Sequence, residues 1–360
     1  MSVQRANTLT AGWASVSPAG VFSGAAVYPL LALLASVAGG PARAELLAVA
    51  PTPLDLPVRC ALGVWTREGT PLTLDWAARC DPRLTGDPAI DRPLLDAWAS
   101  TQAGAPVPPL PAATVGPANE DAVVLASAVA VTAGWRDPFT DGVMRPVAGP
   151  WAGHRLASLH RRGPDLSVLR VAATAAGPVT LLAVAGTADV DVILCTAAGG
   201  APPGAVLAAA TTAAGAATPA TEGPAITSAL VDADDAEPEL VVKVPRFAVS
   251  AAHDLLAAAD AFGLRTASAS GTFPGIGPGG LRVGAAGQST AAAFTAGGFG
   301  GFPATTAAPP PVVPVPHRAS TTRRLRVTVR FDLPFGYLTI HRPTGLVVMA
   351  GWIDDPEHAR

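Results

Sequence analysis

One apolar run, residues 122–132, constrains the fold more than any other part of the chain. It is almost continuously apolar and rich in β-branched residues. A strand that faces water on one side alternates apolar and polar residues, whereas a strand buried on both faces does not. The run therefore predicts a central strand of a large sheet, covered on both sides.

Helical and strand patterns occupy different parts of the sequence. Residues 21–49 carry apolar side chains at three- and four-residue steps, residues 88–101 place Trp98 on one face, and residues 251–262 follow a similar pattern, so all three segments predict helices. Early helices and late strands predict an α+β fold rather than alternating βαβ units. The late predicted strands are residues 289–295, 326–331, 335–341 and 346–351.

A long exposed loop is predicted inside the strand-rich end. Residues 299–324 are rich in proline, threonine and small residues, and strand patterns lie on both sides of them. Loops of this length are uncommon unless they are functional or disordered. The proline-rich tract 309–316 favours polyproline II. It suits a plain extended and exposed loop, a peptide ligand or a rigid display arm.

Charge and hydropathy exclude several functional classes. The 360 residues carry 24 basic and 27 acidic side chains and a net charge of −3, so neither nucleic acid nor a membrane is an expected partner. The apolar run 25–38 contains Pro29 and is too short to span a bilayer. The first twenty residues lack a basic segment followed by an apolar run. A cytoplasmic protein is the simplest expectation, and secretion stays open.

The three cysteines and six histidines indicate no metal or cofactor site. Cys60, Cys80 and Cys195 are odd in number and lack Cys-x-x-Cys spacing, which favours buried free thiols. A single Cys60–Cys80 bridge is the alternative. The histidines are scattered, without a helical pair beside a carboxylate. We therefore expect neither a metal nor a cofactor.

Two glycine-rich segments match enzyme motifs only in part. Residues 275–280 fit Gly-x-Gly-x-x-Gly by letter, but they include Pro278 and do not join a strand to a helix. Residues 287–291 lack the second glycine of the Gly-x-Ser-x-Gly nucleophile elbow. No pair of carboxylates has recognisable catalytic spacing. The chain is therefore predicted not to be an enzyme.

Short motifs follow one another in a fixed order along the chain. Upstream they are Phe22-Ser23, Leu95-Asp96-Ala97-Trp98 and the segment 125–139, and downstream they are Pro245-Arg246-Phe247, Phe262-Gly263-Leu264, Phe273-Pro274-Gly275-Ile276, Asp332-Leu333-Pro334-Phe335, Thr344-Gly345 and the segment 351–356. In this order they resemble the serpins, protease inhibitors that trap their target with a bait loop. The chain looks like a divergent member of bacterial type. The match is weak from about residue 150 to 240.

The resemblance implies both a fold and a mechanism. The fold is a single serpin-like domain over residues 1–360, with three β-sheets, about eight or nine helices and an exposed reactive-centre loop at about 296–324. The implied function is inhibition of a serine protease of the subtilisin, elastase or trypsin type. The protease cleaves the loop, which then inserts into the main sheet and carries the acyl-enzyme with it. A monomer without catalytic residues of its own is expected.

The start of the loop departs from the family pattern, and this leaves an alternative open. Gly298 and Thr305 coincide with the family's glycine and closing threonine. Phe299 replaces a small threonine, and Pro303 replaces an alanine and cannot donate to a sheet ladder. The alternative is a non-inhibitory serpin-fold binding protein. The segment, called the hinge below, consists of Ala296, Gly297, Gly298, Phe299, Gly300, Gly301, Phe302, Pro303, Ala304 and Thr305.

Two candidate scissile bonds follow from the family's spacing. Counting forward from Ala296 by the distance that trapping implies gives Val312–Val313, which suits an elastase-like or subtilisin-like enzyme. Counting back from the segment after the loop gives Arg323–Arg324, which suits a trypsin-like enzyme. The two disagree because this loop is longer than usual.

A buried polar cluster controls sheet opening in the family, and three residues stand at its positions here. Ser23 stands at the family's serine, Ser127 replaces its asparagine, and Gln288 replaces its histidine. These three residues are called the shutter below. All of them keep the ability to form hydrogen bonds.

Overall fold

The computed structural model describes residues 1–16, 20–78, 83–115, 122–269, 273–278, 280–300 and 322–359. These residues include seven α-helices and three short 3₁₀ helices. The α-helices are α1 (Ser2–Val16), α2 (Gly24–Val37), α3 (Gly40–Val49), α4 (Leu74–Ala77), α5 (Pro88–Ala103), α6 (Pro203–Ala213) and α7 (Arg265–Ala269). The 3₁₀ helices are Ala112–Val115, Leu166–Val168 and Leu255–Phe262.

The strands outnumber the helices. They are β1 (Val21–Phe22), β2 (Ala61–Thr66), β3 (Ala122–Ala130), β4 (Ala133–Gly134), β5 (Thr140–Met144), β6 (Leu156–Gly163), β7 (Leu169–Thr174), β8 (Gly177–Val184), β9 (Val190–Ala197), β10 (Thr218–Pro219), β11 (Ile226–Ala233), β12 (Glu239–Pro245), β13 (Phe247–Asp254), β14 (Arg282–Phe294), β15 (Gly298–Phe299), β16 (Thr322–Arg330), β17 (Phe335–His341) and β18 (Leu346–Ile353).

Three sheets contain these strands. The seven-stranded sheet has the order β1-β18-β17-β9-β8-β7-β10, and the five-stranded sheet has the order β11-β16-β12-β6-β5. The six-stranded sheet has the order β2-β3-β14-β15-β4, with β13 also paired to β14. Mixed helices and sheets confirm the predicted α+β class.

The predicted central strand is confirmed as β3. Its residues are buried except the last, Ala130, which is half-buried. β3 pairs antiparallel with β2 on one side and parallel with β14 on the other, from Arg282 to Ala291. A strand with neighbours on both edges and cover on both faces has no position that requires a polar residue, which explains its apolar run, interrupted only by Ser127.

The described chain divides into two compact units whose ranges interleave along the sequence. Unit 1 contains Met1–Val131, Ser250–Ala292 and His341–Ala350, and unit 2 contains Thr132–Val249, Ala293–Ile340 and Gly351–Arg360. The single domain over residues 1–360 stays a prediction.

Helix α5 of unit 1 has clear sequence signals at both ends. Asp87 caps its start by accepting a hydrogen bond from the Ala89 amide at 2.9 Å. Gly104 ends it with φ +75°, a backbone conformation that favours glycine. Between them Trp98 packs edge-on against Trp65 of β2, with ring centroids 4.6 Å apart. The amphipathic pattern around Trp98 therefore predicts a helix that the structure confirms.

Two predicted helices differ from the structure. Residues 21–49 are not one helical segment, since β1 comes first and α2 ends before Ala38, whose ψ of 156° is extended. Residues 251–262 begin as strand β13 and continue as a 3₁₀ helix. Asp254 explains that change, because its carboxylate accepts from the Leu256 amide at 2.9 Å and starts the 3₁₀ turn.

Unit 2 gathers a large share of the aromatic side chains. Phe247 stacks on Phe294 with centroids 5.4 Å apart and an interplanar angle of 18°. Phe335 and Tyr337 of β17 pack on Phe247 at 5.9 and 5.3 Å. All four side chains are fully buried. Aromatic residues form only 5% of the sequence, so these four rings concentrate a scarce kind of side chain in the core of unit 2.

Candidate reactive loop and the strands that hold its ends

The chain makes a tight turn where β14 ends. The turn follows Phe294 and is closed by Thr295 and Gly298. The Thr295 amide donates to the Gly298 carbonyl at 2.9 Å. The Thr295 hydroxyl donates to the same carbonyl at 3.0 Å. This turn reverses the direction of the chain, so β15 runs antiparallel to β14, with Phe299 opposite Phe294.

Three hydrogen bonds from neighbouring residues fix the turn. The Trp135 ring Nε1–H donates to the Thr295 carbonyl at 2.8 Å. The Trp135 amide donates to the Gly297 carbonyl at 3.1 Å, and the Phe139 amide donates to the Ala296 carbonyl at 3.0 Å. Each carbonyl of the turn from Thr295 to Gly297 therefore has a donor, and the first hinge residues are held in place.

Strand β15 is paired on both edges. Besides its pairing with β14, it pairs antiparallel with β4, with Gly298 opposite Gly134 and Phe299 opposite Ala133. The Phe299 side chain is completely buried, and its ring centroid lies 5.6 Å from that of Tyr337. The hydrophobic ring that departs from the family pattern thus has a place in the core of unit 2.

The described part of the hinge ends at Gly300. Its φ is +74°, and its amide donates to the Ala293 carbonyl at 2.7 Å. The remaining hinge residues lie outside the described residues, as do the candidate scissile residues Val312 and Val313. Those hinge residues are Gly301, Phe302, Pro303, Ala304 and Thr305.

The other candidate scissile bond, Arg323–Arg324, lies in a paired strand. In β16, Arg323 is opposite Asp232 of β11 and Arg324 is opposite Val231. The Arg323 guanidinium also donates to the Leu230 carbonyl at 3.2 Å. A protease requires an extended stretch that is free to enter its cleft, and nicking concentrates in exposed loops. Arg323 and Arg324 lie in a hydrogen-bonded ladder and not in an unpaired segment.

Glu239 of the neighbouring strand β12 holds β16 a little further along. Its carboxylate lies 2.5 Å from the Arg326 Nε and 3.3 Å from an Arg162 nitrogen. These cations, together with the hydrogen bond from Arg326, hold the pKa of Glu239 below its usual value despite the opposing effect of burial. Strand β16 is therefore tied to its sheet by charge as well as by backbone pairing.

The structure brings the three shutter residues into contact within unit 1. Gln288 Oε1 accepts from the Ser23 amide at 2.7 Å, and Gln288 Nε2 donates to the Ser23 carbonyl at 2.9 Å and to Ser127 Oγ at 3.1 Å. Ser23 Oγ donates to the Val348 carbonyl at 2.5 Å and caps helix α2 at Ala26. All three shutter side chains are fully buried.

Two residues that sequence reasoning missed extend this polar cluster. The Thr290 hydroxyl and the His253 ring both donate to the Val21 carbonyl, at 2.7 and 2.8 Å. Burial lowers the pKa of His253, and its hydrogen bond to Val21 opposes that effect. A signal existed for Thr290, because it stands two positions after Gln288 and therefore on the same face of β14.

The two described cysteines are not reactive thiols. Burial raises the pKa of both Cys60 and Cys195 to about 12, so neither thiol is a ready nucleophile. Both thiols are free, and Cys80 lies outside the described residues. In the part of the chain that the structure describes, no three His, Cys, Asp or Glu side chains form a metal cluster.

The polar cleft of unit 2 is structural as well. It has a volume of about 410 Å³ and is lined by Arg161, Arg162, Asp137 and Asp165 among others. The Arg161 guanidinium lies 4.7 Å from the centre of the Phe139 ring and donates to the Asp137 carbonyl. Its charge is thus engaged by the protein itself.

Comparison with solved structures identifies the fold. The chain is similar to native protease nexin-1, seen with heparin, at 15% identity and a TM-score of 0.72, over 99% of this chain and 100% of that one. It is also similar to Serpin48, a highly specific serpin of the insect Tenebrio molitor, at 14% identity and a TM-score of 0.67, over 98% and 97%. No family model and no curated protein matches the sequence. The protein has the serpin fold.

Proposed function

We propose that this protein is a serpin-family inhibitor that acts as a suicide substrate of a serine protease. The observation that carries the proposal is the double pairing of β15, which lies antiparallel to both β14 and β4 at the entrance of the loop. A loop strand that inserts between β3 and β14 has to run antiparallel to both. Because β4 follows β3 along the chain, β15 already has the position and direction of such a strand. The serpin fold over the whole chain supports the same reading.

The chemistry of the trap belongs to the protease. Its serine attacks the carbonyl of the scissile bond, the loop is cut, and an ester links the enzyme to the upstream part of the loop. That part then inserts between β3 and β14. The parallel pairing of these strands from Arg282 to Ala291 is exchanged for two antiparallel ladders. The gain in pairing is the driving force, and this chain supplies no catalytic group.

The scissile bond is proposed to be Val312–Val313. Arg323–Arg324 is held in β16 opposite β11, whereas residues 312 and 313 stand well before that strand begins. Small aliphatic residues at the cut suit an elastase-like or subtilisin-like protease. A trypsin-like protease would first have to separate β16 from β11.

A binding protein without inhibitory activity is the second candidate. Pro303 favours it, because a proline in an inserting strand lacks the amide that the ladder needs. In that case the loop would be cut without insertion. The cut protein would then release active protease and would gain no stability.

Incubation with proteases separates the two candidates. The protein is mixed with subtilisin-, elastase- and trypsin-like enzymes, and the products are resolved by denaturing electrophoresis and mass spectrometry. We expect a heat-stable covalent complex with an elastase- or subtilisin-like enzyme, a cut after Val312, and a higher unfolding temperature of the cut protein. Complete recovery of protease activity without such a rise would reject inhibition and support the binding protein.

Two further proposals concern the oligomeric state of the protein and its location in the cell. We propose that it acts as a monomer in the cytoplasm. Within the described ranges, no helix is long and apolar enough to cross a bilayer. Sedimentation of the purified protein tests the monomer, and fractionation of its host cells tests the location.

A further inference from the structure

We propose that Phe299 is a positioning residue, which docks the start of the loop in the sheet before cleavage and sets the register from which insertion proceeds. This inference rests on the proposed inhibitory function. It concerns a residue that, on the family pattern, counts as an obstacle to insertion. In the structure the same residue is the best-packed part of the described hinge.

Burial of the Phe299 ring favours docking of the hinge before cleavage. The Phe299 ring has no exposed surface and lies against Tyr337, and β15 is paired on both edges. Undocking would expose the whole ring to water, and full burial of a phenylalanine is one of the larger apolar contributions of a single side chain. The docked state is therefore strongly favoured over a free hinge.

The register of β15 matches the register of the ladder between β3 and β14. Along β3 and β14, Ala130 is opposite Ala291. Ala133 comes three residues after Ala130, and Phe294 comes three residues after Ala291. Phe299 is opposite both of them. β15 therefore starts a new strand with the same offset that the existing ladder has. A strand that lengthens from β15 needs no slip, and a one-residue slip would turn every side chain to the wrong face.

The residue after β15, Gly300, allows the strand to lengthen. Gly300 has φ +74°, so the chain bends away from the ladder there. Glycine passes between this conformation and an extended one at little steric cost. Gly300 therefore allows pairing to continue beyond Phe299 once cleavage frees the loop. Closing the first contact in advance also removes part of the loop-closure entropy that a free hinge has to overcome.

The experiment compares three variants with the wild type, using the protease that forms the complex. Phe299→Ala removes the docked ring, and Phe299→Leu keeps an apolar side chain. Phe331→Ala is the control, since Phe331 is equally buried in unit 2 but packs on Phe335. Two readouts are taken, namely the ratio of trapped to merely cleaved protein and the hydrogen exchange of residues 295–300.

We expect Phe299→Ala to raise the cleaved-to-trapped ratio by on the order of tenfold. The rate of the first cut should stay within about twofold, because the bait is distant in sequence from the hinge. Phe299→Leu should restore most of the trapping. Phe331→Ala should lower the unfolding temperature at least as much while leaving the ratio unchanged.

The hydrogen exchange of the uncut protein tests docking separately from inhibition. The Gly300 amide should be protected in the wild type and in Phe331→Ala, and exposed in Phe299→Ala. If the wild type traps no protease, the inhibitory proposal fails, and lost protection in Phe299→Ala still supports a docked hinge. An unprotected Gly300 in the wild type, or an unchanged ratio in Phe299→Ala, would overturn the inference.

Discussion

The middle and the end of strand β14 are held by different forces. In the middle, Gln288 and Thr290 form directional hydrogen bonds to Ser23, Ser127 and Val21. At the end, Phe294 packs against aromatic rings, with Trp135 at 4.8 Å. The stabilisation from a buried hydrogen bond is largely lost when one partner moves away. An apolar contact is not directional and tolerates small shifts.

This difference shows where the sheet can yield. To separate β3 from β14, the bond from Gln288 to Ser127 has to break in a fully buried place. At the end of β14, by contrast, β15 is already paired with the strand. We therefore expect the middle to set the barrier to opening, while the end sets where a new strand begins.

The largest expected effect comes from removing the shutter amide. Gln288→Leu leaves the Ser23 amide, the Ser23 carbonyl and Ser127 without their partner in the core. Each unsatisfied buried group costs about 1–3 kcal/mol, so we expect a loss of about 3 kcal/mol or more in the free energy of unfolding. Urea denaturation measures this loss.

Two further variants sharpen that result. Gln288→His keeps one donor and one acceptor and should retain part of the stability. Gln102→Leu, at an exposed position at the end of α5, should change the free energy of unfolding by less than about 0.5 kcal/mol. Equal losses at positions 288 and 102 would contradict the assignment of Gln288 to a buried network.

A smaller effect is expected at the end of β14. Trp135→Phe keeps a ring but removes the donor to the Thr295 carbonyl. The expected loss is about 1–2 kcal/mol, together with faster hydrogen exchange of residues 295–300. Trp151→Phe is a matched control, because Trp151 is also buried in unit 2 and donates to the Asp354 carbonyl at the same distance, 2.8 Å.

The control makes the Trp135 result specific. Trp151→Phe should lower stability by a similar amount and leave exchange at residues 295–300 unchanged. If both variants speed exchange there equally, the Trp135 bond has no particular role in fixing the turn.

Acid should weaken the protein through two histidines, one in each unit. Burial lowers the pKa of His253. Burial also lowers the pKa of His160, and the charges of Lys243, Arg162 and Arg330 add to that effect. Since the folded state disfavours the protonated rings, the unfolded state binds more protons below about pH 6.5, and stability falls as the pH drops.

Variants separate the two contributions to this acid sensitivity. Lys243 lies directly opposite His160 across the β6–β12 pair, so Lys243→Met should reduce the loss of stability between pH 7 and pH 5. His253→Gln keeps a donor for the Val21 carbonyl and should reduce it too. Urea midpoints measured across this range provide the check, and slopes identical to wild type in both variants would contradict the assignment.

The smallest effect is expected at the base of the loop. Arg323→Ala removes an exposed ion pair with Asp232, whose charged atoms are 4.0 Å apart. Exposed pairs of this kind contribute little, so the free energy of unfolding should change by less than about 0.5 kcal/mol. The position of the cut and the yield of complex should also stay the same. A lost complex would restore Arg323–Arg324 as the bait.

The sequence allowed part of this architecture to be predicted, for physical reasons that differ between elements. β3 was predictable because burial on both faces leaves a continuous apolar run. Helix α5 was predictable because Trp98 lies in an amphipathic pattern between a capping aspartate and a glycine. The shutter residues could be located only by the resemblance, because the sequence around a single polar residue in an apolar strand does not show which distant residue it bonds.

Other features depend on contacts between distant parts of the chain. From the sequence alone, Phe299 is interpreted as an obstacle to insertion of the loop. The neighbouring residues give no sign that Tyr337 packs against its ring. His253 lies in a segment with a helical pattern, but pairing of β13 with β14 overrides that local preference. Likewise, the pairing of Arg323 with β11 depends on a strand about ninety residues earlier, whose exposed side chains give only a weak pattern.

The position of β16 between two partner strands also decides how a cut molecule would behave in a column. Eight residues of β16 are in register with β11 and five with β12. A break before residue 313 would leave the fragment 313–360 attached by these ladders without any covalent link. Native gel filtration would then return one particle of the intact mass, 35.9 kDa. Two fragments would separate only in denaturant, so the native size carries no information on whether the loop has been cut.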